Sequence, residues 1–505
     1  MPDVPLDVGG RRQVFIDGRF VQESQGIKLV VHPPRKTGEL NIKPEHPWER
    51  RIGAYFSVLK IDDVYHLWYQ ALSEDQGVLA LNVAYAKSKD GVHWVKPMRG
   101  LTEVFGTKQN NIVLGSGAGG MKEFVHEAMV FLDPNAPKEQ RLRMVAQPVL
   151  PKTENRALHV FSSADGIHWK PTHENIMTSP RHPRHHLDSQ NVFFWDDRIR
   201  KYVSYVRRNL RPDGLIGRTV ARGESNDLSR FPEVEESPVV LGCNHLDPHH
   251  FDSDKKLDVS VLDYYTNATI KYPWAEDAYY MFPSAYYHYS KFLAEFKEQK
   301  PTNAGPVDVR FAASRDGIHW LRYDRRPFVR LGMKIEFDSK SNYMGSGLVP
   351  ATNGREMYMY YVGSDILHGW GYKKNLPLFT SAGLAPEEEI SAVSRLVLRR
   401  DGFISARAAY TGGMFMTPLL RFSGSELVLN VDTSAAGELQ VEILDRLGSP
   451  IEDHRLQDCD LIHTTNEINR TVTWKGKSDI SRFAGSPIQL RFAMRDVDLY
   501  AFQFR

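Results

Sequence analysis

One short phrase recurs along this 505-residue chain and limits what it can fold into. It reads Ser88-Lys-Asp-Gly-Val-His-Trp94, then Ser163-Ala-Asp-Gly-Ile-His-Trp169, then Ser314-Arg-Asp-Gly-Ile-His-Trp320. A degraded copy is Ser225-Asn-Asp-Leu-Ser-Arg-Phe231, and a fainter echo is Arg399-Arg-Asp-Gly-Phe403. The copies lie roughly 60–90 residues apart, which suits propeller blades with insertions. Repetition on this scale means one supersecondary unit used several times around a shared axis. The phrase itself is structural. Asp-Gly makes the tight turn between antiparallel strands. The Ser and Asp side chains hold that turn through nearby backbone amides, and the Trp fills the gap between neighbouring units.

Composition narrows the field further. The length exceeds one typical core, so two domains are expected. Charged residues make up 25% and the net charge is +2. That balance offers no electrostatic footprint for nucleic acid or an anionic membrane. No apolar run reaches the about 18 residues needed to span a bilayer. The start, Met1-Pro-Asp-Val-Pro-Leu-Asp7, lacks the basic and apolar regions of a secretory signal, so the chain is expected to be cytoplasmic as written or secreted with a leader removed. Cys243 and Cys459 are far apart and read as two unpaired thiols. Oligomeric state stays open.

Period-two runs rich in Val, Tyr, Phe and Trp precede each copy of the phrase. They fall at 53–60, 65–72 and 79–87; at 126–132, 142–149 and 157–163; at 191–195, 201–208 and 215–224; at 262–270, 278–286 and 307–314; and at 343–349, 357–363 and 390–398. A helical insertion is expected at 291–298. Five units predict an all-β chain: a five-bladed β-propeller over 1–400, then a β-sandwich over 401–505. The runs 12–20 and 27–32 read as strands that dock on this assembly.

In a propeller the residues just before each first strand meet at the mouth of one axial funnel. Those positions supply Trp48, Glu49, Arg50 and Arg51; Glu123, His126 and Glu127; His185, His186, Asp188, Ser189 and Gln190; Asp258, Asp263, Tyr264 and Tyr265; and Glu336, Asp338, Asn342 and Tyr343. Nearly every unit delivers a carboxylate. Paired carboxylates with flanking Arg, His and aromatic groups suit glycoside cleavage, one protonated and the other ionised. Glu49, Asp188, Glu127 and Asp263 are the candidate catalytic residues. Trp48, Arg50, His186, Gln190, Tyr264, Glu336 and His368 are candidate substrate contacts. No cofactor or metal is expected, although a central divalent cation is left open.

The repeated phrase, the unit count and the trailing sandwich resemble the five-bladed propeller glycosidases, namely the invertase-like family 32, the arabinan-active family 43 and the anhydrogalactosidase family 117. The order of domains is most similar to family 32. The resemblance implies an oligo- or polysaccharide substrate and an acidic triad at the inner ends of the first blades, by position Glu49, Glu127 or Glu123, and Asp188. The invertase-like Asn-Asp-Pro-Asn segment is absent, and Pro47-Trp-Glu49 stands in its place.

Two motifs point elsewhere. Gly115-Ser-Gly-Ala-Gly-Gly120 fits the dinucleotide fingerprint but lacks the helix and βαβ frame that chemistry needs. His182, His185 and His186, with His245, His249 and His250, could ligate a metal, but match no helix-borne spacing. Two other functions remain compatible with the fold: a non-catalytic carbohydrate binder, and a glycoside phosphorylase with Arg50, Arg51 and His186 beside phosphate. A sialidase fits less well, since its Asp-box carries one more residue before Gly and its propeller has six blades.

Overall fold

In a computed structural model the chain is described over residues 4–75, 78–115, 125–148, 156–179, 186–210, 217–252, 257–289, 304–370 and 376–505. The insertion expected at 291–298, Glu123, His182, His185 and the glycine run beyond Gly115 lie outside these residues.

The repeated runs form antiparallel sheets in a propeller arrangement. The first comprises Arg51–Ile61, Val64–Asp75, Val78–Ser88 and Ile112–Leu114, with Trp94–Val95 added at Val78–Ser88. The second is Val125–Leu132, Leu142–Pro148, Arg156–Ser163 and Lys170–Ser179. The third is Val192–Asp196, Lys201–Arg208, Thr219–Ser225 and Val239–Leu241.

Here the unit count departs from expectation. Four propeller sheets appear among the described residues instead of five, because the fourth and fifth units share one eight-stranded sheet. Val307 of the fourth unit pairs in parallel with Ser341 of the fifth, and the Val307 N–H donates to Lys340 O at 3.1 Å. The first three strands of the fourth unit are each broken once, and the detached halves Ile270–Lys271, Tyr279–Met281 and Ala312–Ser314 form a small separate sheet. Pro283 sits at one break, where its missing N–H interrupts the ladder.

The phrase does more than turn the chain. In its second copy Ser163 Oγ accepts from Gly166 N at 2.9 Å and donates to Asp165 Oδ1 at 3.0 Å. Asp165 Oδ1 accepts from the Ile167 and His168 amides, both at 2.9 Å. Burial pushes this carboxyl up, but the His168 and Ile167 donors outweigh it and hold it well below the usual carboxylate range. Gly166 lies at φ +76, a region that favours glycine. The Gly carbonyl then accepts from the second strand of the preceding unit: Trp68 Nε1 to Gly166 O at 2.6 Å, Tyr205 OH to Gly317 O at 2.8 Å, and Tyr360 OH to Gly91 O at 2.7 Å. Trp169, Trp320 and Trp94 pack edge-on against the same three rings. The Tyr360 bond joins the fifth unit to the first and closes the ring.

Gln190 locks the axis. Its Nε2 donates to Phe56 O and Ala128 O, both at 2.9 Å, and so ties the first three units together. Beside it Ser57 and Ser346 bridge in parallel between the first and fifth units.

The C-terminal part, where a sandwich was expected, is one nine-stranded sheet built on Leu427–Leu444 and Gln489–Phe504, which pair along most of their length. It also recruits the N-terminus: Leu6–Gly9, Gln13–Val14, Glu23–Gln25 and Ile27–Val31 pair with strands of this part. Arg35–Lys36 instead joins the propeller, as an edge strand on Ser391–Arg399, and Ile42 bridges to Val393 of the same strand. The expected docking strands therefore belong to the C-terminal part. A single apolar core runs from Phe502 and Phe492 through Phe403 and Tyr272 into the fourth unit.

Candidate functional site

The inner strands are bulged where the funnel groups sit. The first strand slips register between Ile52 and Phe56, the segment that carries Tyr55. The second slips between His126 and Met129, the segment that carries Glu127. Bulges of this kind re-aim a side chain at a strand end. Glu127 (φ +65) and Leu187 (φ +63), the neighbour of Asp188, also hold left-handed backbone. Such strain costs about 1–3 kcal/mol per residue and clusters at functional sites.

One oxygen each of Glu127 and Asp188 and a ring nitrogen of His126 lie within 4.8 Å of one another. The two carboxyls meet opposite surroundings. The Glu127 carboxyl is fully buried, and its one polar neighbour at bonding distance among the described residues is His126 Nδ1, 3.0 Å from Oε1. Burial pushes its pKa up against the opposing effect of His126, and the Asp188 charge adds to the rise. Asp188 instead receives Arg207 Nη2 at 2.7 Å on Oδ2 and Arg156 Nη1 at 3.0 Å on Oδ1. Burial raises this carboxyl too, but Arg207 and Arg156 outweigh it and hold it well below the usual range.

An aromatic and basic wall completes the cluster. Tyr55 OH lies 3.1 Å from Tyr265 OH, and its ring stands edge-on to His126. Arg207 and Arg218 both lie 5.4 Å from the centre of the Tyr265 ring. Asp263 Oδ2 faces Arg218 Nη1 at 2.8 Å and His288 Nε2 at 2.7 Å. His368 packs on Tyr265 and Tyr286, with its Nδ1 3.0 Å from Tyr343 OH.

Burial first, then Arg218, His288 and Arg207, push the His368 pKa down to about 3. The unfolded imidazole titrates near about 6.5. Between these values the unfolded chain binds the extra proton, so stability is full above about pH 6.5 and falls as pH drops towards 3. Denaturant melts at pH 7.5 and 5 should show this loss, and His368→Phe should flatten it. An unchanged slope in the variant would place the acid sensitivity elsewhere.

Several expected site residues sit elsewhere. Glu49 is fully buried, but its carboxylate is taken up by Tyr69 OH, by Lys96 Nζ at 2.8 Å and by the Glu45 amide at 3.1 Å. It shares none of these partners with Glu127 or Asp188. Trp48 stacks on His46 and donates to Asn111 Oδ1 at 2.9 Å. Arg50 is exposed. His186 is buried, and its Nδ1 accepts from Asn209 N at 2.8 Å. Tyr264 is buried beside Arg322. Glu336 is exposed in a turn and accepts from Met333 N at 2.8 Å. Gln190 is spent on the axis. Asp188, Glu127, Asp263 and His368 are the named candidates that the structure gathers. The expectations from the strand starts did not include Tyr55, Arg156, Arg207, Arg218, Tyr286 or His288. Tyr55, Arg207 and Tyr286 lie inside strands, Arg156 and Arg218 at or just before the start of a third strand, and His288 just past a strand end, and only Arg207, a charge in the apolar run 201–208, is marked in sequence.

Among the described residues, His126, Glu127 and Asp188 are the donor set that could hold a cation. Arg156 and Arg207 already occupy both Asp188 oxygens, and their charges oppose a metal there.

No protein-family model and no curated protein matches the chain. Among solved structures it is similar to a glycoside hydrolase at 12% identity and TM-score 0.47, over 72% of this chain and 92% of that one. It is similar to an exo-inulinase from Aspergillus awamori at 13% and TM-score 0.40, over 94% and 99%. It is also similar to a β-1,2-mannobiose phosphorylase from Listeria innocua at 13% and TM-score 0.43, over 74% and 97%. The functional reading rests on the side chains of this chain alone.

Proposed function

We propose that this protein is a carbohydrate-active enzyme that cleaves a glycosidic bond in the propeller funnel. We read the eight-stranded sheet as two units, which restores the five-unit ring of the propeller glycosidases. One observation carries the functional reading: two carboxyls within 4.8 Å are driven towards opposite protonation states by burial on one side and two guanidiniums on the other. Such a split is what acid and nucleophile or base require.

Glu127 holds its proton and gives it to the leaving oxygen. Asp188 is ionised and oriented by Arg156 and Arg207. One oxygen of Asp188 lies within 4.8 Å of one oxygen of Glu127, and we take the pair as the closely spaced, retaining kind. Asp188 then attacks the anomeric carbon as the glycosidic C–O bond breaks. Glu127, now ionised, deprotonates the water that releases the sugar. Tyr265, which is half-buried, offers its ring to the sugar, and Asp263 with His288 offers acceptors and donors to its hydroxyls. Glu49 is structural in this scheme, and no metal takes part.

A screen of oligo- and polysaccharides for newly released reducing ends, followed by proton NMR of the first product, tests the reading. The expected result is release with the anomeric configuration retained. Inversion would remove Asp188 from the nucleophile role. Binding without release would favour a carbohydrate-binding propeller. A phosphorylase differs only in the acceptor, and the funnel guanidiniums give that second reading its support.

A further inference from the structure

The propeller axis has a second opening. We propose that the cavity at this far end is a second saccharide site, which holds a glycan without cleaving it. The class of ligand rests on the reading of the protein as carbohydrate-active, but the site uses none of the funnel's residues.

The first strands of the five units run away from the funnel, and their later residues meet again around a cavity of about 530 Å³. Leu59, Phe131, Trp195, Ile270 and Gly347 line it, one from each unit. Gln190 binds Phe56 O and Ala128 O. Along their strands these two residues lie between Tyr55 and Glu127, which face the funnel, and Leu59 and Phe131, which face the cavity. The Gln190 lock therefore separates the two openings. The cavity falls within the about 300–1,000 Å³ of small-molecule sites.

Its wall is aromatic and held in place. Phe194, Trp195 and Trp274 line the cavity and are half-buried. Buried tyrosines hold each of them. Tyr205 stacks on Phe194 with ring centres 6.0 Å apart, Tyr202 stands edge-on to Trp195 at 5.0 Å, and Tyr272 stands edge-on to Trp274 at 5.2 Å. Arg400 adds a guanidinium 5.8 Å from the centre of the Trp274 ring. Rings needed only to close a core are buried throughout, as Trp68 and Trp169 are. These three are anchored on one side and open on the other, which makes a platform oriented before any ligand arrives.

The apolar C–H faces of a sugar ring stack on such indoles, and its hydroxyls need donors and acceptors at the edge of the platform. The rim supplies both as ion pairs. Arg11 Nη1 lies 2.9 Å from Glu276 Oε2, and Lys271 pairs with Asp197. Each pair offers charge-assisted bonds to a hydroxyl. An ion has to displace one member of a pair, and a purely apolar ligand takes water from both and returns nothing to them. A neutral polyol with one apolar face meets the wall and the rim together.

The test places fluorinated tryptophan in the Glu127→Gln protein and follows Trp195 and Trp274 by fluorine NMR, with Trp195→Phe and Trp274→Phe for assignment. Arabinan, inulin and mannan are titrated in turn, and the wild type is assayed on the same polymers for released reducing ends. Saturable movement of either resonance with one of the polymers supports the inference. If that polymer is not cleaved, the inference stands and the funnel reading fails. Release while both resonances stay still overturns the inference and leaves the funnel reading standing. Neither movement nor release with any of the three overturns both. Resonances that move on dilution of the protein alone, in step with dissociation of a dimer, assign the cavity to a second copy of this chain and overturn the inference.

Trp274→Ala separates direct binding from an effect transmitted from the funnel. Calorimetry with a short oligosaccharide of the bound polymer is expected to show one site fewer per chain, or that site weakened about tenfold, as when an aromatic anchor is truncated. Turnover of a disaccharide-sized substrate is expected to stay at the wild-type value. An unchanged isotherm overturns the inference. Should that variant not fold, Trp195→Ala is read in the same way.

Discussion

Glu127→Gln is expected to lower turnover by about 10²–10⁴-fold, the usual contribution of a positioned proton donor, while glycan affinity stays close to wild type. Gln keeps the shape of the side chain and cannot give up a proton to the leaving oxygen. The same change should not lower stability. The Glu127 carboxyl is buried, with His126 at bonding distance among the described residues, and burial raises its pKa. A raised folded-state pKa means that its stability contribution is present below the unfolded value of about 4.3 and is lost as pH rises through the folded value. Gln removes that loss. The expected result is therefore an inactive protein that melts no earlier than wild type at neutral pH. Glu49→Gln should behave in the opposite way. It weakens the Lys96 and Tyr69 network and lowers the melting temperature, but turnover per folded molecule persists. If Glu49→Gln were dead and Glu127→Gln active, the assignment of roles would be reversed.

The second large effect belongs to Asp401→Ala. This fully buried carboxylate accepts from Arg12 Nε at 2.7 Å, Tyr272 OH at 2.7 Å and Asn430 Nδ2 at 2.9 Å. Arg12 comes from the N-terminal segment and Asn430 from the C-terminal sheet, while Tyr272 belongs to the fourth propeller unit. One carboxylate thus pins three parts of the fold. Its removal leaves the Arg12 guanidinium buried and unpaired, which costs about 3–5 kcal/mol. Against a typical stability of about 5–15 kcal/mol, that is a large fraction. Urea unfolding should show a loss of unfolding free energy of that size, and Asp401→Asn a smaller one. A loss under about 1 kcal/mol would mean that the core around Tyr272 and Phe403 holds the two domains without the ion pair.

The echo Arg399-Arg-Asp-Gly-Phe403 shows how far the sequence could be read. Its kinship with the phrase was visible, and Asp401 still lies in a turn, but nothing showed that its carboxylate reaches out of the turn to become this pin. The three full copies were legible because the Ser and Asp side chains do local work there, set by hydrogen bonds within three residues, whereas the bond that each Gly carbonyl accepts from the preceding unit left no local mark. The blade count was not legible, because one parallel pairing between Val307 and Ser341 merges two units and no sequence pattern records it.

The site divided along the same line. Glu127 and Asp188 were accessible to a reading of strand starts. Glu49 occupies an equivalent position in sequence, yet Lys96 and Tyr69 hold its carboxylate within the first unit. Tyr55 lies within the bulged stretch of its strand, so a strict period-two reading gave no reason to send it to the funnel. Arg156, Arg207 and Arg218 look like ordinary strand-end cations until the fold brings them onto one carboxylate and one tyrosine.

The account stands on the two carboxyls differing in protonation. Carbon-13 NMR titration of selectively labelled Glu and Asp side chains, with Glu127→Gln and Asp188→Asn for assignment, measures this directly. The predicted result is a Glu127 resonance that titrates well above about 4.3 and an Asp188 resonance that stays ionised below about 3.9. A Glu127 carboxyl that ionises at or below its ordinary value, beside an Asp188 that does not, would contradict it.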